Sequence, residues 1–237
     1  MPGTLFLLPS ALGETPWRSY LPTATHDTGC TLVNFIAENA KTARAELKRL
    51  GHAVPLRDIA IEQLPEVLKP ADIERLLAPL LAGKDVGLLS EAGCPGVADP
   101  GALLVRRAHE LDIPVKPLVG PSSLLLALMA SGLEGQRFAF HGYLPAKEPQ
   151  RSARIVELEK DSRRLQQTQL FIEAPYRNDA LCQALLAGCR PDTRLCIATD
   201  LTLPTETITT RRIADWRKSP PASIDRRPTV FLLLSAG

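Results

Sequence analysis

Two short loops rich in glycine and proline, each set between an apolar run and a helix-like run, constrain this chain more than any other feature. The first is Ser90-Glu91-Ala92-Gly93-Cys94-Pro95-Gly96-Val97-Ala98-Asp99-Pro100-Gly101, and Val86-Gly87-Leu88-Leu89 feeds it. The second is Gly120-Pro121-Ser122-Ser123, fed by Val115 to Val119. Apolar runs that end in such turns predict parallel strands whose carboxyl ends carry ligand-binding loops. Glycine lets a backbone approach a ligand, and proline stiffens the turn. The spacing matches neither the dinucleotide fingerprint nor the P-loop, and by itself it also describes two ordinary strand-to-helix connections.

The rest of the chain alternates in the same way, which predicts an α/β fold. Thr4 to Leu8 reads as a first strand and Leu32 to Ala37 as a second apolar run. Asn39 is placed to cap a helix with Ala43, Leu47 and Leu50 inward, and Gly51 stops it. Ile73, Leu76, Leu77 and Leu80 form another stripe that Pro79 interrupts. Asp99 caps a helix beginning at Pro100, with Leu104, Ala108 and Leu111 inward. The helix after Pro121 is apolar nearly all round, which predicts burial on several sides.

The second half changes character. Phe138 to Leu144, Thr168 to Glu173, Arg194 to Asp200, Glu206 to Ile213 and Thr229 to Leu234 read as strands, with helices over 148–164 and 177–187. No helix is evident between the last strands, so part of this sheet is expected to be antiparallel. The organisation predicted is a mostly parallel N-terminal sheet in 1–118 and a mixed C-terminal sheet in 119–237.

Composition narrows the class. Of 237 residues, 45% are hydrophobic, enough for a substantial core. Residues 1–136 carry 12 basic and 15 acidic side chains, net −3, whereas residues 137–237 carry 16 and 11, net +5. Such asymmetry can mark a phosphate-bearing partner, though solvated Arg and Lys also account for it. Arg151, Arg154, Arg163 and Arg164 in particular read as one charged helix face. The five cysteines are an odd number and form no Cys-x-x-Cys hook, which points to reduced thiols in a cytoplasmic setting. His26, His52, His109 and His141 show no metal spacing, and no metal is expected. No apolar run approaches the ~20 residues that span a bilayer, so no membrane partner is expected.

The two loops also carry a resemblance. Ser90 to Pro95, Asp99-Pro100-Gly101, Pro117-Leu118-Val119-Gly120-Pro121-Ser122-Ser123, Ser131-Gly132-Leu133 and Phe138 to Lys147 occur in an order that resembles the tetrapyrrole methylase family. Within it, the likeness is to the branch that methylates a ribose 2′-hydroxyl of small-subunit ribosomal RNA. The resemblance implies a two-domain fold with the active site in the cleft between, S-adenosylmethionine as cofactor, and a homodimer. It places donor contacts on Ser90, Glu91, Ala92, Gly93 and Pro95, on Ser122 and Ser123, and on the loop after the first strand at Pro9. The carboxylates that remain as candidate bases are Glu38, Asp99 and Glu173. Lys147 and Arg177 are the candidate acceptor-binding residues, and the arginines from 151 to 164 would add phosphate contacts.

The departures from the family pattern cluster on the acceptor side. Asn39, Ala40 and Lys41 stand where the branch has Asp-Thr-Arg, Ile172 where it has tyrosine, and Leu203 where it has lysine. The donor block is intact. The acceptor therefore remains open between ribosomal RNA in the small subunit and a tetrapyrrole-like small molecule, and a non-catalytic donor-binding module is the third reading. Methyl transfer by in-line displacement needs alignment more than it needs a dedicated base.

Overall fold

The computed structural model describes residues 1–235. It divides into two compact units, Met1–Ser122 and Ser123–Gly237. The division separates the two serines of the second loop: Ser122 closes the first unit and Ser123 opens the second.

The first unit is built on a parallel five-stranded sheet. Its strands are β1 (Leu5–Leu8), β2 (Asn34–Ala37), β3 (Ala60–Gln63), β4 (Val86–Leu89) and β5 (Val115–Pro117), in the order β3-β2-β4-β1-β5. Strands β1 and β4 carry no polar side chain because both faces of the sheet are covered. Leu5, Ile36, Val86 and Leu88 point to one face, against Leu76, Leu77 and Leu80 of α3 (Pro70–Leu81) and Leu104 and Ala108 of α4 (Gly101–Glu110). Leu8, Phe35, Ala37 and Leu89 point to the other, against Ala43, Leu47 and Leu50 of α2 (Ala40–Leu50). Asn39 caps α2 by accepting from the Lys41 and Thr42 amides, as the sequence predicts. A further helix, α1 (Thr23–Thr31), precedes β2.

The second unit carries a mixed sheet of β6 (Phe138–Tyr143), β7 (Thr168–Ile172), β8 (Arg194–Thr199), β9 (Thr207–Arg212) and β10 (Thr229–Leu234), in the order β6-β7-β10-β8-β9. Only β6 and β7 are parallel. The other pairings are antiparallel, as expected for strands joined by short connections. Phe171, Leu195, Ile197, Phe231 and Leu233 form one apolar face. Ile155 and Leu158 of α6 (Gln150–Leu165), Leu181 and Leu185 of α7 (Asn178–Gly188), and Ile213 and Trp216 of α8 (Ile213–Lys218) cover it. Phe171 and Phe231 are partners in register and their rings stack at 5.9 Å.

Several expectations need correction. The apolar helix, α5 (Ser123–Ser131), is not buried on several sides. Ala127, Leu128 and Ser131 are buried, while Leu125 is 52% and Met129 79% exposed. The run Val115–Val119 yields only a three-residue edge strand. Pro117 has no amide to donate, and Val119 turns outward at 71% exposure. The connection from β9 to β10 holds α8, whose six residues are too few for a periodic signal. Strand β3 and helix α1 were not legible either: β3 is an exposed edge without alternation, and α1 buries only Thr25 and Gly29. Pro79 lies inside α3, which continues for two residues beyond it.

The Phe171–Phe231 pair gives the second unit a sharp test. Phe231→Ala removes a fully buried ring and should cost about 3–5 kcal/mol of stability, read as a lowered urea midpoint with an unchanged slope.

Candidate functional site

Strands β2 and β4 are neighbours, yet β2 leads on to β3 at one edge and β4 leads on to β5 at the other. Chains that leave adjacent parallel strands in opposite directions open a crevice at the carboxyl ends, where α/β sheets take ligands. All the loops the sequence singles out in the first unit emerge at that end.

The structure ties these loops to one another. Beyond the β1–β4 ladder, Ser10 and Gly93 form an isolated bridge: the Ser10 amide donates to the Gly93 carbonyl (2.9 Å), and the Gly93 amide to the Ser10 carbonyl (3.1 Å). The Ser10 hydroxyl donates to the Ser90 carbonyl at 2.9 Å, and the Ser90 hydroxyl to that of Gly93 at 3.1 Å. The β5 loop joins through the Cys94 thiol, 3.3 Å from the Pro121 carbonyl. Gly120 lies so near the first loop that a Cβ there would sit 2.4 Å from the Pro9 Cβ. Pro9, Ser10, Ser90, Gly93 and Pro95 are buried; Glu91 and Ala92 are exposed at the rim. Gly93 has φ 74°, and a Cβ on it would come 3.4 Å from Leu12 and 3.6 Å from the Pro121 oxygen. Those are ordinary contact distances, so it is the positive φ rather than lack of space that calls for glycine here.

The three candidate bases prove to be anchors as well as acids. Glu38 accepts from the Glu91 amide at 2.9 Å, which ties the end of β2 to the β4 loop. Burial raises the Glu38 pKa; the neighbouring charges of Asp99 and Glu91 push the same way, and the Glu91 amide opposes them. Asp99 accepts from the Gly96 amide at 2.9 Å and the Gly101 amide at 2.7 Å; the expected cap is corrected, because α4 begins at Gly101 with Pro100 at its N-cap and Asp99 binds the first helical amide from one residue further back. Burial raises its pKa too, against those two amides. Glu173 lies in the second unit, with its side chain 0% exposed. Its Oε1 accepts from the Ala174 amide at 2.7 Å and from Arg177 Nη2 at 2.6 Å and Nε at 3.0 Å. Its Oε2 is buried without a hydrogen-bond partner.

Of the acceptor candidates, Arg177 is joined to Glu173 and stacks over Tyr176 at 5.1 Å, while Lys147 is exposed. The α6 arginines are engaged with carboxylates. Arg151 meets Glu148 (2.8 Å), Arg154 meets Glu157 (2.6 Å), Arg164 meets Asp161 (2.7 Å), and Arg163 lies 3.8 Å from Asp192. Each of these arginines therefore has a carboxylate within reach at the surface. His141 sits between Gln169 (2.6 Å) and Arg154 (3.1 Å). Among the described residues no three His, Cys, Asp or Glu side chains cluster to hold a metal ion. Burial pushes the Cys182 thiol up to about 11 and Cys189 to about 12, as expected of packed thiols.

Sequence reasoning missed three supporting residues. Ser10 makes the inter-loop bridge, and Thr25 on α1 donates to the Val119 carbonyl at 2.8 Å. Glu46 is buried on α2, where it accepts from the Tyr20 hydroxyl, from Arg49 and, at 3.4 Å, from the Ala11 amide. Glu46 had a signal: it falls on the same helical stripe as Ala43, Leu47 and Leu50, and a carboxylate there must find partners.

The molecule is thus an α/β protein whose doubly covered parallel sheet, with its loop cluster, is followed by a mixed sheet. The chain belongs to the tetrapyrrole methylase family: residues 30–216 match the family described as Tetrapyrrole (Corrin/Porphyrin) Methylases. It is 32% identical over 237 residues to a ribosomal RNA small subunit methyltransferase I of Xylella fastidiosa, covering 100% of this chain and 82% of that one. It is 34% identical over 204 residues to the protein of that name in Streptococcus pyogenes serotype M6, covering 84% of this chain and 65% of the relative. The chain thus matches less than two thirds of the second relative's length. In fold it is similar to the methyltransferase CobJ, with TM-score 0.64 at 16% identity over 100% and 95% of the two chains. It is also similar to the uroporphyrin-III-C-methyltransferase of Thermus thermophilus, with TM-score 0.57 at 18% identity over 99% and 93%.

Two outcomes follow from this geometry. Gly120→Ala forces the β5 loop away from Pro9 and should cost about 1–3 kcal/mol, seen as a lowered thermal midpoint. Glu38 carries a raised folded pKa, so its protonated form stabilises the fold. That contribution is complete below the ordinary glutamate range and is lost as pH rises through the folded pKa. Glu38→Gln keeps an acceptor for the Glu91 amide but cannot titrate. The thermal midpoint of the wild type minus that of Glu38→Gln should therefore fall between acid and neutral pH.

Proposed function

We propose that this chain transfers a methyl group from S-adenosylmethionine to a ribose 2′-hydroxyl of small-subunit ribosomal RNA. The observation that carries the donor half is the Ser10–Gly93 bridge, which with the Cys94–Pro121 and Gly120–Pro9 contacts gathers the β1, β4 and β5 loops at the carboxyl end of the sheet. Pro9, Ser90, Glu91, Ala92, Gly93, Pro95, Ser122 and Ser123 would hold the donor. Backbone amides and carbonyls on tight turns, two hydroxyls and an apolar wall suit its amino-acid tail, ribose and adenine. When bound, the donor supplies an electrophilic methyl group on a positively charged sulfur.

The chain's own contribution is then mostly orientation, which can be worth roughly 7–11 kcal/mol. Glu38 positions the β4 loop through the Glu91 amide, and Asp99 holds the far end of the same loop. Of the three candidate bases, Glu38 is the one to which we assign the acceptor proton. Asp99 already commits both oxygens to backbone amides, and Glu173 has no exposed surface. Glu173 instead fixes Arg177, which with Lys147 we assign to the acceptor. The relatives named above are ribosomal RNA methyltransferases, and that name supports the choice of acceptor. We further propose a homodimer, in keeping with the exposed Met129 of α5, and a cytoplasmic location in keeping with five free cysteines.

Two measurements test this. Ala92 is exposed at the rim, so Ala92→Phe should leave the thermal midpoint in place while weakening donor affinity by roughly tenfold, about 1.4 kcal/mol by calorimetry. Unchanged affinity would remove the donor from this loop. Tritiated methyl transfer to small ribosomal subunits from a strain lacking the protein should be seen with the wild type. Transfer to a tetrapyrrole in its place would replace the RNA acceptor by a small molecule.

A further inference from the structure

The net positive charge of the second half has to act somewhere, and the structure narrows the place. The α6 arginines Arg151, Arg154 and Arg164 are matched by carboxylates, as are Arg177 by Glu173 and Arg227 by Asp200 at 2.8 Å. Four cations that lack such a partner fall together. Arg194, Arg211, Arg212, Lys218 and Ser219 line an open concavity of about 540 Å³ in which Asp215 is the one acidic side chain. Among the described residues, none of these four cations makes an ion pair with a carboxylate.

The backbone forces them together. Arg194 opens β8 and Arg212 closes β9, and the two are direct partners in the antiparallel register. Like charges directly opposite one another destabilise a strand pair. The next residue back, Arg211, lies with its guanidinium 4.8 Å from the Trp216 ring. Trp216 is itself buried, with its indole N–H donating to the Leu195 carbonyl at 2.9 Å, so this arginine rests on a fixed platform. Lys218 follows on α8, which begins where β9 ends. A cluster that repels itself, with four cations to one carboxylate, is stabilised by an anion from outside.

We propose that this concavity, at the β8–β9 end and α8, is a docking surface for the phosphodiester backbone of the RNA acceptor. The proposal rests on the acceptor reading given above. Repeated phosphates suit it better than one compact anion, because the cations come from two strands and a helix and do not converge on a point. Arginine matches phosphate with a planar pair of donors, and contacts of this kind set affinity and register without reading bases. The competing explanation is that β9, as the outer strand of its sheet, carries charge only to avoid pairing with another sheet edge. That purpose is served by charge along the strand. Here the body of β9 is Thr207-Ile208-Thr209-Thr210, and its charge is confined to the end that meets α8.

The test uses the full chain and a labelled single-stranded oligoribonucleotide, titrated between about 50 and 200 mM salt. The variant is Arg212→Glu/Lys218→Glu; the control is Arg164→Glu on α6. The variant places a glutamate opposite Arg194, so its thermal midpoint should equal or exceed that of the wild type. RNA affinity should fall roughly tenfold, with the log–log salt slope shallower by about 0.7 for each phosphate no longer neutralised, and Arg164→Glu should leave both unchanged. Methyl transfer to small subunits should fall in parallel while donor affinity holds. If the variant binds RNA as the wild type does, or if Arg164→Glu weakens binding as much, the surface is only a charged sheet edge and the proposal is overturned. Wild-type transfer to subunits together with that result would leave the acceptor reading standing. A wild type that neither binds RNA nor methylates subunits would overturn both.

Discussion

The bridge between Ser10 and Gly93 is the interaction on which the candidate site depends. It extends the contact between β1 and β4 past the end of the parallel ladder, where the two chains would otherwise diverge into separate helices. Two backbone hydrogen bonds and the Ser10 hydroxyl hold the loops in one arrangement. Gly93 can accept this because it has no Cβ: its φ of 74° bends the β4 loop back towards Ser10. The loop after β5 then closes the third side through Cys94 and through the direct contact of Gly120 with Pro9.

Around that bridge, carboxylates that are wholly or partly buried act mechanically before they do any chemistry. Glu38, Asp99 and Glu46 each accept from the amide of a loop residue, and so each converts a mobile turn into a fixed one. Burial makes the ionised form of the first two costly, which is why their pKa values are raised despite these amides. Glu173 plays the same part in the second unit, with a guanidinium in place of a second loop. A site assembled in this way orients its ligands through rigid backbone and leaves few side chains free for proton transfer. Methyl transfer from an activated donor tolerates that arrangement.

Charge is organised differently in the two units. In the first, acidic groups gather at the carboxyl ends of the strands. In the second, Arg151, Arg154, Arg164, Arg177 and Arg227 each pair with a carboxylate, whereas Arg194 and Arg212, without one, are pressed together by strand register at the β8–β9 end. Counting charges along the sequence located the excess in the second half. It could not tell a paired arginine from an unpaired one, because Arg164 and Arg212 differ only in what folds beside them.

The sequence by itself determined the α/β class, the parallel central strands, the antiparallel part of the second sheet, the Asn39 cap and the identity of the loops. Each of these follows from local rules: apolar runs buried on two faces, periodic stripes, and residues whose backbone preferences suit a turn. The short edge strands β3 and β5 and the helix α8 escaped because a few half-exposed residues carry no period. Tertiary structure alone decided that Ser10 faces Gly93, that Glu46 meets Tyr20 and Ala11, that Glu173 is sealed behind Arg177, and that α5 leaves Leu125 and Met129 exposed. Those outcomes depend on which distant segments become neighbours. The residues themselves specify only what a neighbour would have to supply: a hydrogen bond for a buried carboxylate, space for a ring, a counter-charge for an arginine.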